Sequence, residues 1–455
     1  MLTPSATAGT SGKATQIDLF SLRTPQMRAF HLSWFAFFLC FLAWFGIAPL
    51  MAVIREEMGL TKEQVGWTII GSVAGTVFVR LLVGWLCDRI GPRLAYTWLL
   101  VLGSLPVMGV GFARDFETLL LFRIAIGAIG ASFVITQYHT SLMFAPNVIG
   151  TASATTAGWG NLGGGMTQLV MPFLFGSVFM GTFGLSAGVS WRACMVCAGA
   201  ICLLTGIAYC CLTQDTPQGN LKDLRAAGKI PAPHPGTSTF LNAATDYRAW
   251  ALFLIYGTCF GIELTIHNIA VLYFMDYFAM DLKTAGLTAA CFGSMNLFAR
   301  TLGGYLSDCF DEKIGLKGRV LWLFAALFCE GLALMLFSQM SILATALPVM
   351  LVFALFVKMS EGATYSVVPF LNRQATGSVA GIVGAGGNAG AVAAGFLFKS
   401  SLDWPTALLI LGAIVTVTSA LALTIRFTPA QEQESSTEMA RAAGPDLGPH
   451  SAPVA

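Results

Sequence analysis

The chain has 455 residues, 56% of them hydrophobic and only 11% charged, with a mean hydropathy of +0.72. Soluble domains carry about 25% charged residues, so a soluble enzyme is excluded. Lys and Arg total 25 against 23 Asp and Glu, with no basic block to neutralise phosphates, which excludes a nucleic-acid-binding or disordered chain.

The implied partner is a lipid bilayer, and at roughly 20 apolar residues per crossing the chain has room for about a dozen spans. The first 25 residues are polar, and no apolar core is followed by a cleavage site, so no removable signal peptide is expected. Apolar runs then predict membrane helices over 30–54, 66–87, 94–113, 118–143, 150–180, 192–213, 248–275, 284–308, 319–338, 342–366, 378–399 and 404–427, twelve in all. The longest polar interruption, 214–247, reads as a linker between two six-helix halves, 30–213 and 248–427. Residues 1–29 form a short leading segment, and the polar, aromatic-poor tail 428–455 is expected to be disordered. The expected fold is an all-α membrane protein of twelve transmembrane helices in two pseudo-symmetric halves. Loops on the side of both termini hold Arg89, Arg93, Lys222, Arg225, Arg248, Lys313, Lys317, Arg319 and Arg373, whereas the other side holds only Arg55, Lys62, Arg114, Arg192, Lys283 and Lys399. Both termini are therefore expected to be cytoplasmic. Most of the eleven cysteines lie in apolar runs and read as small hydrophobes. The CxxC of Cys194 and Cys197 has no second pair beside it, so neither metal nor cofactor is expected.

The halves repeat each other. "RLLVGWLCD" in span 2 supplies Arg80, Gly84 and Asp88, and "RTLGGYLSD" in span 8 supplies Arg300, Gly304 and Asp308, 220 positions later. A second echo joins "AGWGNLGGG" in span 5, centred on Asn161, to "GAGGNAGAV" in span 11, centred on Asn388. Such duplication is the mark of a transporter with its site near the midplane between the halves. Each arginine stands eight residues from the Asp that ends its span, about 12 Å of helix, too deep for easy snorkelling. An arginine in hydrocarbon needs a partner or an aqueous cavity. With no acid at that depth on spans 2 or 8, the pair is expected to leave a hole for an anion, and the planar guanidinium fork suits a planar oxyanion.

The glycines Gly160, Gly163, Gly164, Gly386, Gly387 and Gly390 read first as close helix contacts; Asn161 and Asn388 among them are candidates to donate to a substrate oxygen. The remaining membrane acids are read on spans 7 and 10. Tyr256, Phe260, Glu263 and His267 share one helical stripe on span 7 and are expected to face the pathway. Glu361 on span 10 is similarly buried, with Lys358 three residues earlier as an alternative, purely structural partner.

Gly84, Asp88, Arg89, Gly91 and Arg93 resemble the cytoplasmic loop motif of the major facilitator superfamily. In that family the Asp and nearby basic residues hold the inner gate, so Asp88, Arg89, Arg93, Arg123 and Asp308 are assigned to gating, although "CFDEKIGLKGR" after Asp308 is a degenerate copy of the motif. The paired glycine signatures and the Arg80/Arg300 pair resemble the nitrate/nitrite porters of that superfamily. "MRAFHLSWFAFFLCF", "GWGNLGGGMTQLVMP", "YGTCFGIELTIHN" and "EGATYSVVPF" are most similar to the plant, algal and fungal high-affinity nitrate transporters, over roughly residues 13–427. The resemblance implies that Arg80, Arg300 and Tyr256 bind nitrate or nitrite, that Phe133, with Tyr138 as its neighbour, and Phe260 sandwich it, that Asn161 accompanies them, and that the glycine runs let the helices rock. It also implies proton symport and, as in plant and algal members, a small single-span accessory protein as a potential partner. The short central loop departs from the fungal pattern.

Bringing an anion into an inside-negative cell costs about 2.3 kcal/mol per 100 mV, roughly fiftyfold in concentration. Two protons per nitrate reverse that sign. Glu263, Glu361 and His267 are the coupling candidates, Glu263 first. Nitrate/nitrite exchange, which needs no membrane acid, a carrier of another small anion, and a nitrate sensor are the alternatives. The chain has no large cytoplasmic domain of the kind a sensor would use, and it is not expected to be an enzyme.

Overall fold

The computed structural model describes residues 12–229, 238–280, 282–399 and 402–443. Among them, eleven helical segments are long and apolar enough to cross a membrane: span 1 Pro25–Leu50, span 2 Ile70–Ile90, span 3 Pro92–Phe112, span 4 Phe116–Met143, span 5 Ile149–Thr182, span 6 Ala187–Leu212, span 7 Tyr247–His267, span 9 Leu316–Ser338, span 10 Leu343–Phe370, span 11 Thr376–Leu397 and span 12 Trp404–Thr424. Span 8 completes the expected twelve but is broken. Helix Leu282–Ser294 passes through a 3-10 turn, Met295–Leu297, into helix Ala299–Ile314. Its charged side chains keep it below the apolarity of the others, and its break lies beside Arg300, as expected where irregular backbone lines a site.

Local sequence explains the boundaries. Thr61 and Gln64 close a capping box before span 2, and Asp115 does so with Thr118 before span 4. Pro25 and Pro92 open spans 1 and 3, where a missing N–H costs nothing. Gly91, at φ +85°, turns the chain between spans 2 and 3, a conformation that a side chain disfavours. Pro172 removes one backbone donor from span 5, which continues as a π-helical stretch over Leu174–Thr182.

The halves meet along two related seams, span 2 against span 11 and span 5 against span 8. Small residues make this approach possible: a side-chain carbon on Gly84 would stand 2.9 Å from Gly381 Cα, and one on Gly304 would stand 2.5 Å from Ala154 Cβ. Within each half, the glycine run of span 5 packs on span 1 at Phe37 and Phe38, and that of span 11 on span 7 at Phe253 and Gly257.

Both ends of the described chain lie on one face. Ala14 N donates to Met143 O at 3.0 Å at the end of span 4. The tail differs from the expected disorder, since Pro429–Ala443 is a helix. Polarity did not leave it unpartnered: Glu432 accepts from Leu316 N (3.0 Å), Gln431 donates to Phe370 O (3.2 Å) and Leu371 O (3.1 Å), and Arg373 pairs with Glu434 and Glu438. Residues 444–455 of the predicted tail, and 1–11 of the leading segment, lie outside the described residues.

Candidate functional site

Arg80 and Arg300 are both fully buried between the halves. Span 4 tightens into a 3-10 turn over Ala128–Ala131, where Gly130 O accepts from Arg80 Nε (3.3 Å) and Nη2 (3.2 Å). Across the seam, Arg80 Nη1 donates to Gly384 O on span 11 at 2.5 Å. These partners are backbone carbonyls, so the Arg80 charge has no carboxylate partner among the described residues. Arg300 is held differently. Its Nη1 donates to Glu361 Oε2 at 2.5 Å, its Nη2 to Tyr256 Oη at 2.9 Å, and its buried Nε has no partner among the described residues. No acid comes from spans 2 or 8 at that depth, but span 10 supplies one, and the predicted anion hole is therefore half occupied by Glu361.

Between the guanidiniums stands an aromatic box. The Tyr256 and Phe260 rings lie 7° from parallel, and the Phe133 ring faces both at centroid distances of 5.7 and 6.1 Å, 10° from parallel to each. Tyr365 closes one end edge-on, 4.6 Å from Phe133 and 4.9 Å from Tyr256. Arg80 lies over Phe133 (5.4 Å) and Phe260 (5.3 Å), and Arg300 over Phe133 (5.3 Å). Parallel ring faces thus lie beside two guanidiniums, the two kinds of group that a flat anion can stack on and accept hydrogen bonds from.

Behind Arg300 lies a buried charge cluster confined to the second half. Lys358 pairs closely with Glu263 and stands 4.0 Å from Glu361. Glu263 also accepts from Asn296 Nδ2 (2.7 Å) at the break in span 8 and lies 3.3 Å from His267, whose side chain is 32% exposed. The stripe read on span 7 therefore does face inward as far as Glu263. The sequence reading placed the membrane acids on spans 7 and 10, yet Glu330 on span 9 is fully buried beside Ser360, Lys358 and Glu263. A lone acid in the apolar run "LFCEGLALM" was the signal.

A family model described as Major Facilitator Superfamily matches residues 33–372. The chain is 40% identical over 386 residues to the High affinity nitrate transporter 2.5 of Arabidopsis thaliana, covering 85% of this chain and 76% of that one. It is 35% identical over 400 residues to the Nitrate transporter 2.1 of Chlamydomonas reinhardtii (86% and 72%) and 30% identical over 455 residues to the Nitrate/nitrite transporter NrtP of a Picosynechococcus strain (81% and 84%). The chain belongs to the nitrate/nitrite porter family of the major facilitator superfamily. It is a transporter rather than an enzyme. The fold agrees with that of the solved proton:xylose symporter XylE, at a TM-score of 0.69 over 90% of this chain and 98% of that one, with 14% identity.

The residues expected from the sequence to act in gating separate into two groups. Asp88 caps the start of span 11, accepting from Gly377 N (3.0 Å), Ser378 N (2.9 Å) and Ser378 Oγ (2.6 Å). Asp308 does the same at the start of span 5, accepting from Gly150 N (3.0 Å), Thr151 N (2.7 Å) and Thr151 Oγ1 (2.7 Å), and adds an ion pair to Arg319 at 2.7 Å. The degenerate second motif thus keeps its cap, because the Asp and a helix N-terminus suffice. Arg225 supports the first cap by donating to Asp88 O (2.9 Å), Arg89 lies over Trp85, and Arg93 bonds Asn220 and, through its N–H, Asp215. Arg123 is a correction. It donates to Trp44 O (3.0 Å) near the far end of span 1, at the opposite end of the bundle from Asp88. Span 4 enters from that far side, so its early residues cannot reach the loop after span 2.

Asn388 donates to Val73 O across the seam at 3.4 Å, whereas neither amide atom of buried Asn161 has a partner among the described residues. Neither amide is bonded to a guanidinium. Gly387 borders the box, since a side-chain carbon there would stand 2.5 Å from the Phe260 ring and 3.0 Å from that of Tyr256; one on Gly164 would meet only Phe45 and Phe41 of span 1, at 3.3 Å or more.

Proposed function

We propose that this protein imports nitrate, and nitrite with it, across the plasma membrane by alternating access, with protons moving in the same direction. The observation that carries the reading is the pair of buried guanidiniums on equivalent helices of the two halves, lying against the parallel rings of Phe133, Tyr256 and Phe260. A planar monovalent oxyanion fits both features: its flat faces meet ring faces, and its oxygens meet the forked donors. The names of the relatives support nitrate over other small anions.

Coupling follows from competition for Arg300. Glu361 holds Nη1 of that guanidinium at 2.5 Å, so an arriving anion and the carboxylate seek the same donors. A proton on Glu361 removes the competitor as nitrate binds; departure of nitrate restores the pair and expels the proton. Glu263 is committed to Lys358 and Asn296, which moves the coupling role from Glu263 to Glu361 and leaves Glu263 and His267 as a route for proton entry. The Asp88 and Asp308 caps close the face that carries both termini, which the Lys and Arg distribution assigns to the cytoplasm, and their release opens the site inward.

The test is uptake of labelled nitrate and nitrite into proteoliposomes under an imposed proton gradient. Accumulation that collapses with the gradient is expected. Uptake of carboxylates but not nitrate overturns the substrate assignment, and nitrate/nitrite counterflow indifferent to the gradient establishes exchange in place of symport.

A further inference from the structure

The cluster around the site holds three cations, Arg80, Arg300 and Lys358, and three carboxylates, Glu263, Glu330 and Glu361, all buried. Two of each are matched: Arg300 with Glu361, and Lys358 with Glu263. The unmatched members are Arg80, on the first half, and Glu330, on the second, where both carboxylate oxygens lack a hydrogen-bond partner among the described residues. A buried charge with no partner costs several kcal/mol. Nitrate resolves the first mismatch, and a proton resolves the second.

We infer that Glu330 binds a transported proton, the second of two that accompany each nitrate, the first being the one on Glu361. This rests on the proton-coupled reading above. Among the described residues, the elements around span 9 offer Glu330 no cation that is not already paired. Span 10 brings Lys358, the Ser360 hydroxyl and Glu361, span 7 brings Glu263 and Cys259, and span 8 brings Arg300, already shared between Glu361 and Tyr256. Span 12 packs at Gly331 through Gly412 and Thr416 and has no ionisable side chain over Trp404–Ser419.

The charge count sets the cycle. Loaded with nitrate and with Glu330 and Glu361 protonated, the cluster carries one net positive charge, so an inside-negative potential draws it inward. After release, three cations face three carboxylates and the empty carrier returns neutral. In each turn an O–H bond forms on Glu330 from external water and breaks to internal water; no electrons move. The path from outside runs by the exposed His267 to Glu263 and Lys358 and so to Glu330.

The test measures the limiting nitrate accumulation in proteoliposomes with a one-unit pH gradient and the membrane potential clamped at zero, together with charge moved per nitrate. Two protons per nitrate allow about 100-fold accumulation and one allows about tenfold, since each pH unit per proton is worth tenfold. The wild type is expected to reach about 100-fold with one positive charge per nitrate, and Glu330→Gln to fall to about tenfold and become electroneutral while still binding nitrate. Glu330→Asp, which keeps an ionisable group, is expected to retain electrogenic transport with its pH dependence displaced, a shift that a space-filling role does not produce. Electrogenic, 100-fold accumulation by Glu330→Gln, or a wild-type pH profile in Glu330→Asp, overturns the inference. A wild type limited to tenfold also overturns it while leaving proton coupling intact, whereas a wild type indifferent to the gradient defeats the coupled reading itself.

Discussion

Arg80 and Arg300 occupy equivalent positions of a duplicated motif, yet their surroundings differ in kind. Arg80 is held by the carbonyls of Gly130 and Gly384, whereas Arg300 is held by a carboxylate and a phenol. The aspartates eight residues further on are nearly alike, each capping a helix of the other half with three hydrogen bonds. Duplication thus kept the helix caps and let the surroundings of the arginines diverge. The first half offers a guanidinium with no carboxylate partner among the described residues, and the second offers one paired with Glu361, which in the proposed mechanism a proton releases. A symmetric site with two free arginines would bind the anion at any pH; this one ties half of its affinity to Glu361.

The largest expected effect separates the two acids of the second half. Glu263→Gln leaves Lys358 without its close partner and should cost about 3–5 kcal/mol of stability, the usual penalty for an uncompensated buried charge. Nitrate should not restore the loss in a thermal-shift measurement. Glu361→Gln instead frees Arg300, so its melting temperature should depend steeply on nitrate and its nitrate affinity should lose the part of its pH dependence that Glu361 carries. Rescue of both variants by nitrate would erase the distinction between them.

Next come the arginines. Arg80→Lys keeps the charge but loses the fork that grips two carbonyls and the anion, and about 3 kcal/mol, roughly a hundredfold in Kd, is expected to go. Arg300→Lys should lose nearly as much, and near-normal affinity in either variant, measured by scintillation proximity with labelled nitrate, removes that arginine from the site.

The glycine runs provide a third contrast, since the repeat alone makes them equivalent and the packing does not. Gly387→Leu drives into the rings of Phe260 and Tyr256 and should abolish nitrate binding as well as turnover, an overpacking of about 1–3 kcal/mol. Gly164→Leu meets only the flank of span 1 and should slow turnover with affinity preserved. Equal effects on binding would mean that Gly387 does not border the box.

The smallest effects belong to the gate. Asp88→Asn and Asp308→Asn each weaken charge-assisted bonds to a helix N-terminus, worth about 1 kcal/mol. Asp308→Asn should disturb more, because Arg319 loses one of its two acidic partners, Asp308 and Asp311. The ratio of efflux to uptake rates reads the change, and a ratio unaltered in both variants would take the caps out of the gate.

Much of this was legible in the sequence for physical reasons. Long apolar runs fix the spans, and the 220-position repeat fixes the symmetry, because both are properties of side chains in order. Arg80 and Arg300 stand out as charges where hydrocarbon is expected and Tyr256 and Phe260 by sharing a helical stripe with Glu263 and His267, whereas Phe133 is reached only through the family resemblance. Pairing was less legible. Glu361 reaches Arg300 across 61 positions, and nothing in the nearby order distinguishes that partner from Lys358, three residues away. The carbonyls of Gly130 and Gly384 are backbone groups and leave no side-chain signature. Tyr365 sat inside a motif already singled out, but its place in the box depends on how span 10 crosses span 7. Arg123 was drawn to the wrong end by its motif neighbourhood, where the alternating direction of the helices would have separated it from Asp88. Glu330 stands alone in its apolar run, outside any stripe with aromatic rings, and the tail helix has the ends of other helices as partners rather than a core of its own.

The central claim is that nitrate and a proton replace the Glu361 carboxylate at Arg300 together. Its most direct test is proton uptake on mixing nitrate with the purified protein in weakly buffered solution, followed with a pH-indicator dye. The account predicts that the wild type takes up close to two protons per nitrate bound, one on Glu361 and one on Glu330, and that Glu361→Gln binds nitrate with one proton fewer; nitrate binding by the wild type with no proton uptake would contradict it.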